Sequence, residues 1–157
     1  MIASMLGVTV AASLGLGGSP VAWHNDYARA HAQAISSDKP LFILICSGSS
    51  EYRQMASLGV FLSEGLEKSL QTDFVRLFID SDTVGGKELA QRFEAGEDPH
   101  FVILDRTCRW QVFYKSGFLL EEDLAPVLAQ FRRAKLSAIG AQVREVIRQP
   151  VATACRT

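Results

Sequence analysis

The chain lacks most of the residues that would force a specialised answer. It has three cysteines, Cys46, Cys108 and Cys155, with no Cys-x-x-Cys pair. That is too few for a disulfide scaffold. Its three histidines, His24, His31 and His100, have no His-x-x-x-His spacing, so neither a metal site nor any other cofactor site is indicated. Excess charge of one sign is also missing: 16 Lys/Arg against 17 Asp/Glu leave a net charge of −1. A near-neutral chain offers no electrostatic case for nucleic acid or an anionic membrane surface, because phosphate binding needs a basic face. What is present is 157 residues, 48% hydrophobic and 21% charged. This composition suits one globular domain with a core large enough to need no staples.

The first charged side chain is Asp26. Residues Ile2 to Leu16 are mostly small or apolar, and Gly17-Gly18-Ser19-Pro20-Val21-Ala22 then supplies small residues and a turn former. An apolar segment followed by small residues is the order of a secretory signal, although no Lys or Arg precedes it. Interspersed Gly, Ser and Thr make the same segment a poor membrane span. Residues 1–22 therefore read as a signal peptide or a disordered leader. Cleavage is expected near Ser19 or Ala22, with periplasmic or secreted location expected and cytoplasmic location as the alternative.

From Trp23 onward, helix and strand signals alternate. The alanines at 28, 30, 32 and 34 predict a helix over His24 to Ser36, ended by Ser37-Asp38-Lys39-Pro40. Leu41-Phe42-Ile43-Leu44-Ile45-Cys46 is a continuous apolar run, the mark of a strand buried on both faces. After the loop Ser47-Gly48-Ser49-Ser50, a helix capped by Ser49 or Ser50 is expected over Glu51 to Leu58. Further segments are a helix over Leu62 to Thr72, a strand over Phe74 to Asp80 and a short helix over Gly86 to Ala95. Phe101–Leu104 and Trp110–Tyr114 form a hairpin about the polar turn Asp105-Arg106-Thr107-Cys108-Arg109. A long amphipathic helix, N-capped by Asp123, closes the domain near Lys135. The cations Arg132, Arg133 and Lys135 suit its C-terminus. A further helix over Ala141 to Arg148 and a tail complete residues 136–157. Strands separated by helices are expected to be parallel and the hairpin antiparallel, giving an α/β/α sandwich with a mixed central sheet.

This order resembles the thioredoxin-like superfamily. Lys39-Pro40 before Leu41–Ile45 resembles the lead into that fold's central strand. Ser49-Ser50-Glu51-Tyr52-Arg53-Gln54-Met55 falls where the family carries its Cys-x-x-Cys and following helix. Asp80-Ser81-Asp82 resembles the acidic strand end, and Leu89-Ala90-Gln91-Arg92-Phe93 the helix after it. Asp98-Pro99-His100-Phe101-Val102 resembles the cis-proline entry to the hairpin. Trp23-x-x-x-Tyr27-x-x-Ala30 is most similar to exported bacterial members. The resemblance spans Trp23 to Ala134 and implies a thioredoxin-like domain over residues 23–135.

The departures bear on function. Counted without gaps from Lys39-Pro40, the dithiol positions fall on Ser50 and Arg53; counted back from Met55, they fall on Ser49 and Tyr52. Neither register supplies the attacking thiolate or the resolving thiol. The family's buried acid aligns with Leu44. These losses together argue against dithiol exchange.

The resemblance then implies a redox-inactive domain that binds a protein or peptide beside the cis-proline, through Ser49, Ser50, Glu51, Tyr52, Arg53, Asp98 and Pro99. The alternative is a monothiol oxidoreductase or peroxidase using Cys46, whose plainer reading is a small apolar residue at the end of a buried strand. A third reading is a purely structural domain. His100 is the histidine expected nearest Ser50 should that serine act as a nucleophile. Cys155 has two possible partners, Cys108 or another chain.

Overall fold

The computed structural model describes residues 23–51, 63–96 and 99–132, with the backbone of Arg144–Glu145. The leader 1–22 and Cys155 lie outside the described residues, as do Tyr52, Arg53 and Asp98 of the expected site. The elements are α1 (Tyr27–Ser37), β1 (Leu41–Cys46), α2 (Glu64–Asp73), β2 (Val75–Asp80), α3 (Val84–Arg92), β3 (His100–Leu104), β4 (Trp110–Ser116), α4 (Glu121–Phe131) and β5 (Arg144–Glu145). Among the described residues, no helix is long and apolar enough to cross a membrane.

The sheet runs β2-β1-β3-β4-β5, so β1 is central. Every residue of β1 is buried, and its two faces feed two separate cores. Leu41, Ile43 and Ile45 pack with Ala30 and Ala34 of α1 and Ala90 of α3. Phe42, Leu44 and Cys46 pack with Leu70 of α2 and Leu124, Leu128 and Phe131 of α4. Helices on both faces are why this strand shows no polar alternation. The result is the α/β/α sandwich with a mixed sheet that the sequence pattern predicts.

β1 and β2 are parallel, in register from Leu41 opposite Val75 to Cys46 opposite Asp80. β3 is antiparallel to β1 although a helix precedes it, with Ile45 opposite His100. β3 therefore starts at the end of the sheet where β2 ends, Asp80 lying opposite Cys46. β4 follows antiparallel, with His100 opposite Ser116 and a register shift at Ile103/Leu104. The carboxyl ends of β1, β2 and β4 and the start of β3 are thereby gathered at one end.

Three expectations are corrected. The first helix starts at Tyr27, because Asp26 caps it by accepting the Arg29 N–H at 2.9 Å. His24 lies outside the helix and pairs with β2: its N–H donates to the Arg76 carbonyl at 2.9 Å, and its carbonyl accepts the Phe78 N–H at 2.8 Å. This segment covers the β2 edge, whose backbone groups need partners.

The last long helix starts at Glu121, not after an Asp123 cap, with Leu120 at the cap position and Pro126 inside. The carbonyl that Pro126 deprives of a partner belongs to Glu122, an exposed residue open to water. Glu121, Glu122 and Asp123 together complement the positive end of the helix.

Where a helix over 141–148 is expected, Arg144–Glu145 pair antiparallel with Trp110–Gln111. The open edge of β4 recruits a segment that is flanked in sequence by Val143, Val146 and Ile147, residues that favour strands.

Candidate functional site

The end of the sheet where Cys46, Asp80, His100 and Ser116 converge holds the loop Ser47–Ser50. Its shape is fixed by carboxylates from the turn after β2. The Gly48 N–H donates to Asp80 Oδ1 at 2.9 Å and to Asp82 Oδ2 at 3.1 Å. The Ser47 hydroxyl donates to Asp82 Oδ2 at 2.6 Å, which leaves its oxygen to accept from Ser49 Oγ at 2.8 Å. The Ser81 N–H donates to the Cys46 carbonyl and the Asp82 N–H donates to Asp80 Oδ1, each at 3.0 Å. Two chain segments 32 residues apart in sequence are thus tied by charge-assisted bonds, which are stronger than neutral ones.

Two glycines allow the close approach. A Cβ on Gly48 would meet Asp80 Oδ2 at 2.3 Å, and one on Gly86 would meet the Asp80 carbonyl oxygen at 1.8 Å. Gly86 lets α3 start directly behind the turn, where Thr83 caps it by accepting the Gly86 N–H at 3.0 Å.

Of the expected site residues, Ser49, Ser50, Glu51 and Pro99 are placed at this end. Ser49 and Glu51 are exposed, while Ser50 and Pro99 are half-buried. One register step beyond the Ile45–His100 pair sets Pro99 beside Cys46. The Pro99 carbonyl accepts the Gly117 N–H at 2.8 Å, joining the entry of β3 to the segment after β4. The peptide bond before Pro99 involves Asp98 and so lies outside the described residues.

Cys46 is only 2% exposed, and the Ser50 hydroxyl donates to its Sγ at 3.0 Å. The Cys46 side chain belongs to the core cluster that also holds Leu44, Phe101 and Leu124. Cys108 is also a buried thiol, in the β3–β4 turn at the far end of β3. Burial, aided by the Asp105 carboxylate, pushes its pKa up to about 12.

His100, the histidine expected nearest Ser50, opens β3. His100 lies opposite Ile45, on the face away from Cys46, because successive strand residues alternate sides. Its Nε2 accepts the Gly96 N–H at 3.3 Å, and its ring lies 5.5 Å from that of Tyr114. Among the described residues, no group of three or more His, Cys, Asp or Glu is arranged to hold a metal ion.

Ser47, Gly48, Asp80 and Asp82 are absent from the site expected on sequence. The Asp80-Ser81-Asp82 triplet was visible as an acidic strand end; its partner was not, because only the parallel pairing of β1 and β2 brings it against the serine loop.

No protein-family model and no curated protein matches this chain. Solved structures do. A thioredoxin from Thermus thermophilus is 24% identical, with a TM-score of 0.59, over 71% of this chain and 86% of that one. A proposed disulphide-isomerase from Bacteroides thetaiotaomicron is 21% identical, with a TM-score of 0.56, over 68% and 89%. A DsbH oxidoreductase is 12% identical, with a TM-score of 0.55, over 79% and 93%. The likeness is one of fold, and the fold is thioredoxin-like.

Proposed function

We propose that this thioredoxin-like domain binds an extended protein or peptide segment without exchanging disulfides. The observation that carries the reading is the serine loop pinned by Asp80 and Asp82 beside Pro99, with the nearby thiol of Cys46 buried behind it. A loop already fixed in shape loses little entropy when it accepts a ligand. Backbone groups at the entry of β3 suit strand-like addition of a peptide. Ser49, Ser50, Glu51 and Pro99 are the described contacts, and Tyr52, Arg53 and Asp98 complete the proposed set. Export to an oxidising compartment, with residues 1–22 removed, belongs to the same proposal.

The test pairs selection with mapping. Peptides selected by display on the purified chain are expected to shift the NMR amide signals of Ser47–Ser50, His100 and Gly117. Tyr52→Ala with Arg53→Ala is expected to weaken them. Shifts confined to the Asp38–Arg106 end would overturn the site. Insulin reduction or peroxide consumption that disappears in Cys46→Ser would overturn the binding reading in favour of a monothiol enzyme.

A further inference from the structure

The surroundings of the serine loop carry two independent patterns. The first is apolar. Val84 is 80% exposed, Phe118 78% and Leu120 58%. Val84 opens α3 just past the Asp80–Thr83 turn, while Phe118 and Leu120 follow Gly117, whose N–H holds the Pro99 carbonyl. At the loop's end of the sheet, Val84 thus follows β2 and Phe118 and Leu120 follow β4, on either side of β1 in the strand order. Exposed large apolar groups gathered about one site mark a contact surface more often than scattered ones do.

The second pattern is charge. Among the described residues, Glu51, Asp82, Glu121, Glu122 and Asp123 are exposed at this end, against Lys87 and Lys115; Arg53 of the proposed contact set lies outside the described residues. The positive starts of α3 and α4 account for some acidic preference, but a helix end carries only about half a unit charge. At the opposite end the two signs nearly balance: Lys39, Arg106 and Arg132 line one pocket together with Asp38 and Asp73, and Arg106 pairs with Asp38 at 2.8 Å. Among the described residues, the near-neutral total charge therefore hides an excess of exposed carboxylates around the proposed groove.

We infer that the groove takes an extended segment of a partner protein in which Lys or Arg alternates with bulky apolar residues. In an extended peptide, successive side chains point to opposite sides. One set packs on the apolar flanks while the other meets the carboxylates. Complementary charge of this kind raises the association rate and selects among partners, and salt screens it. The inference rests on the binding reading above and adds the class of partner.

Three synthetic fluorescent peptides separate the two. All carry the same alternating leucines, with Lys, Ser or Glu between them, and anisotropy is read at low and high salt. At low salt, the Lys peptide is expected to bind about tenfold tighter than the Ser peptide and the Glu peptide weakest, with the spread collapsing at high salt. Glu121→Gln with Glu122→Gln is expected to reduce the Lys preference, and Phe118→Ser to weaken all three peptides alike. Equal binding of the three at low salt would overturn the charge inference and leave the groove standing. Binding of none would overturn the groove reading itself.

Discussion

Gly48 and Asp80 touch in a way that admits no side chain: the Gly48 N–H sits 2.9 Å from Asp80 Oδ1, and a Cβ would sit 2.3 Å from Oδ2. Gly48→Ala must push the carboxylate off the loop. The expected cost is about 1–3 kcal/mol of stability, as for other overpacked sites, together with weaker peptide binding. Gly65→Ala is the control. Nothing lies within 4 Å of that Cβ, and alanine in a helix gains up to about 1 kcal/mol over glycine. Urea denaturation of both variants checks the pair. Equal effects would show that the Gly48–Asp80 approach is not tight in solution.

A buried ion pair joins α2 to β2. Arg76, 4% exposed, pairs with Glu67, which also accepts the Gln71 amide at 2.9 Å, and the guanidinium lies 5.5 Å from the Trp23 ring centre. Burial pulls the Arg76 pKa below its ordinary value, and Glu67 opposes that shift. Glu67→Ala leaves a buried cation uncompensated and is expected to cost about 3–5 kcal/mol, while Glu67→Ala with Arg76→Met recovers much of it. Additive losses in urea denaturation would show that the two groups do not depend on each other.

Alkaline pH is expected to unfold the domain before it deprotonates the core. Burial raises Tyr27 from 10.0 and Cys108 from 9.0, each to about 12. The unfolded chain therefore gives up these protons first, so the native state holds more of them and stability falls as pH climbs from about 9 to 12. The urea midpoint measured from pH 8 to 11 should drop steadily. Tyr27→Phe with Cys108→Ala should flatten that drop. A midpoint that held or rose with pH in the unaltered chain would contradict the burial of both groups.

The parts of this fold that were legible in sequence are those whose pattern is local. The six apolar residues of β1 are bounded by Pro40 and Ser47, and the strand occupies those bounds. The Asp105 turn was also legible: Asp105 accepts the Arg109 and Trp110 N–H groups, each at 3.1 Å, and the hairpin closes around it. What was not legible depends on a distant partner. His24 leaves a helical pattern because the edge of β2 offers it two hydrogen bonds, and Arg144–Glu145 become a strand because β4 has an open edge. The same holds for the site. Serines at 47, 49 and 50 were noticed as a loop, but their fixed shape comes from Asp80 and Asp82, which local pattern cannot bring near.

The start of the described chain constrains the proposed export signal. Trp23 packs edge-on against Phe42, with ring centres 5.9 Å apart and an interplanar angle of 73°. One residue later, His24 pairs with β2, and three residues after that Tyr27 lies 6.2 Å from Phe93 on the opposite face of the sheet. Residues 23–27 therefore wrap the β2 edge from one core to the other. A peptidase cutting after His24 would remove the aromatic anchor Trp23 and uncover part of that edge, whereas a cut at Ser19 or Ala22 would leave both in place. Intact-mass measurement of chain recovered from an exporting host is expected to show an N-terminus between Pro20 and Trp23. A mature chain starting at Asn25 or later would contradict the anchoring role. A chain beginning at Asn25 and made deliberately should melt lower and self-associate, as sheets with uncovered edges do.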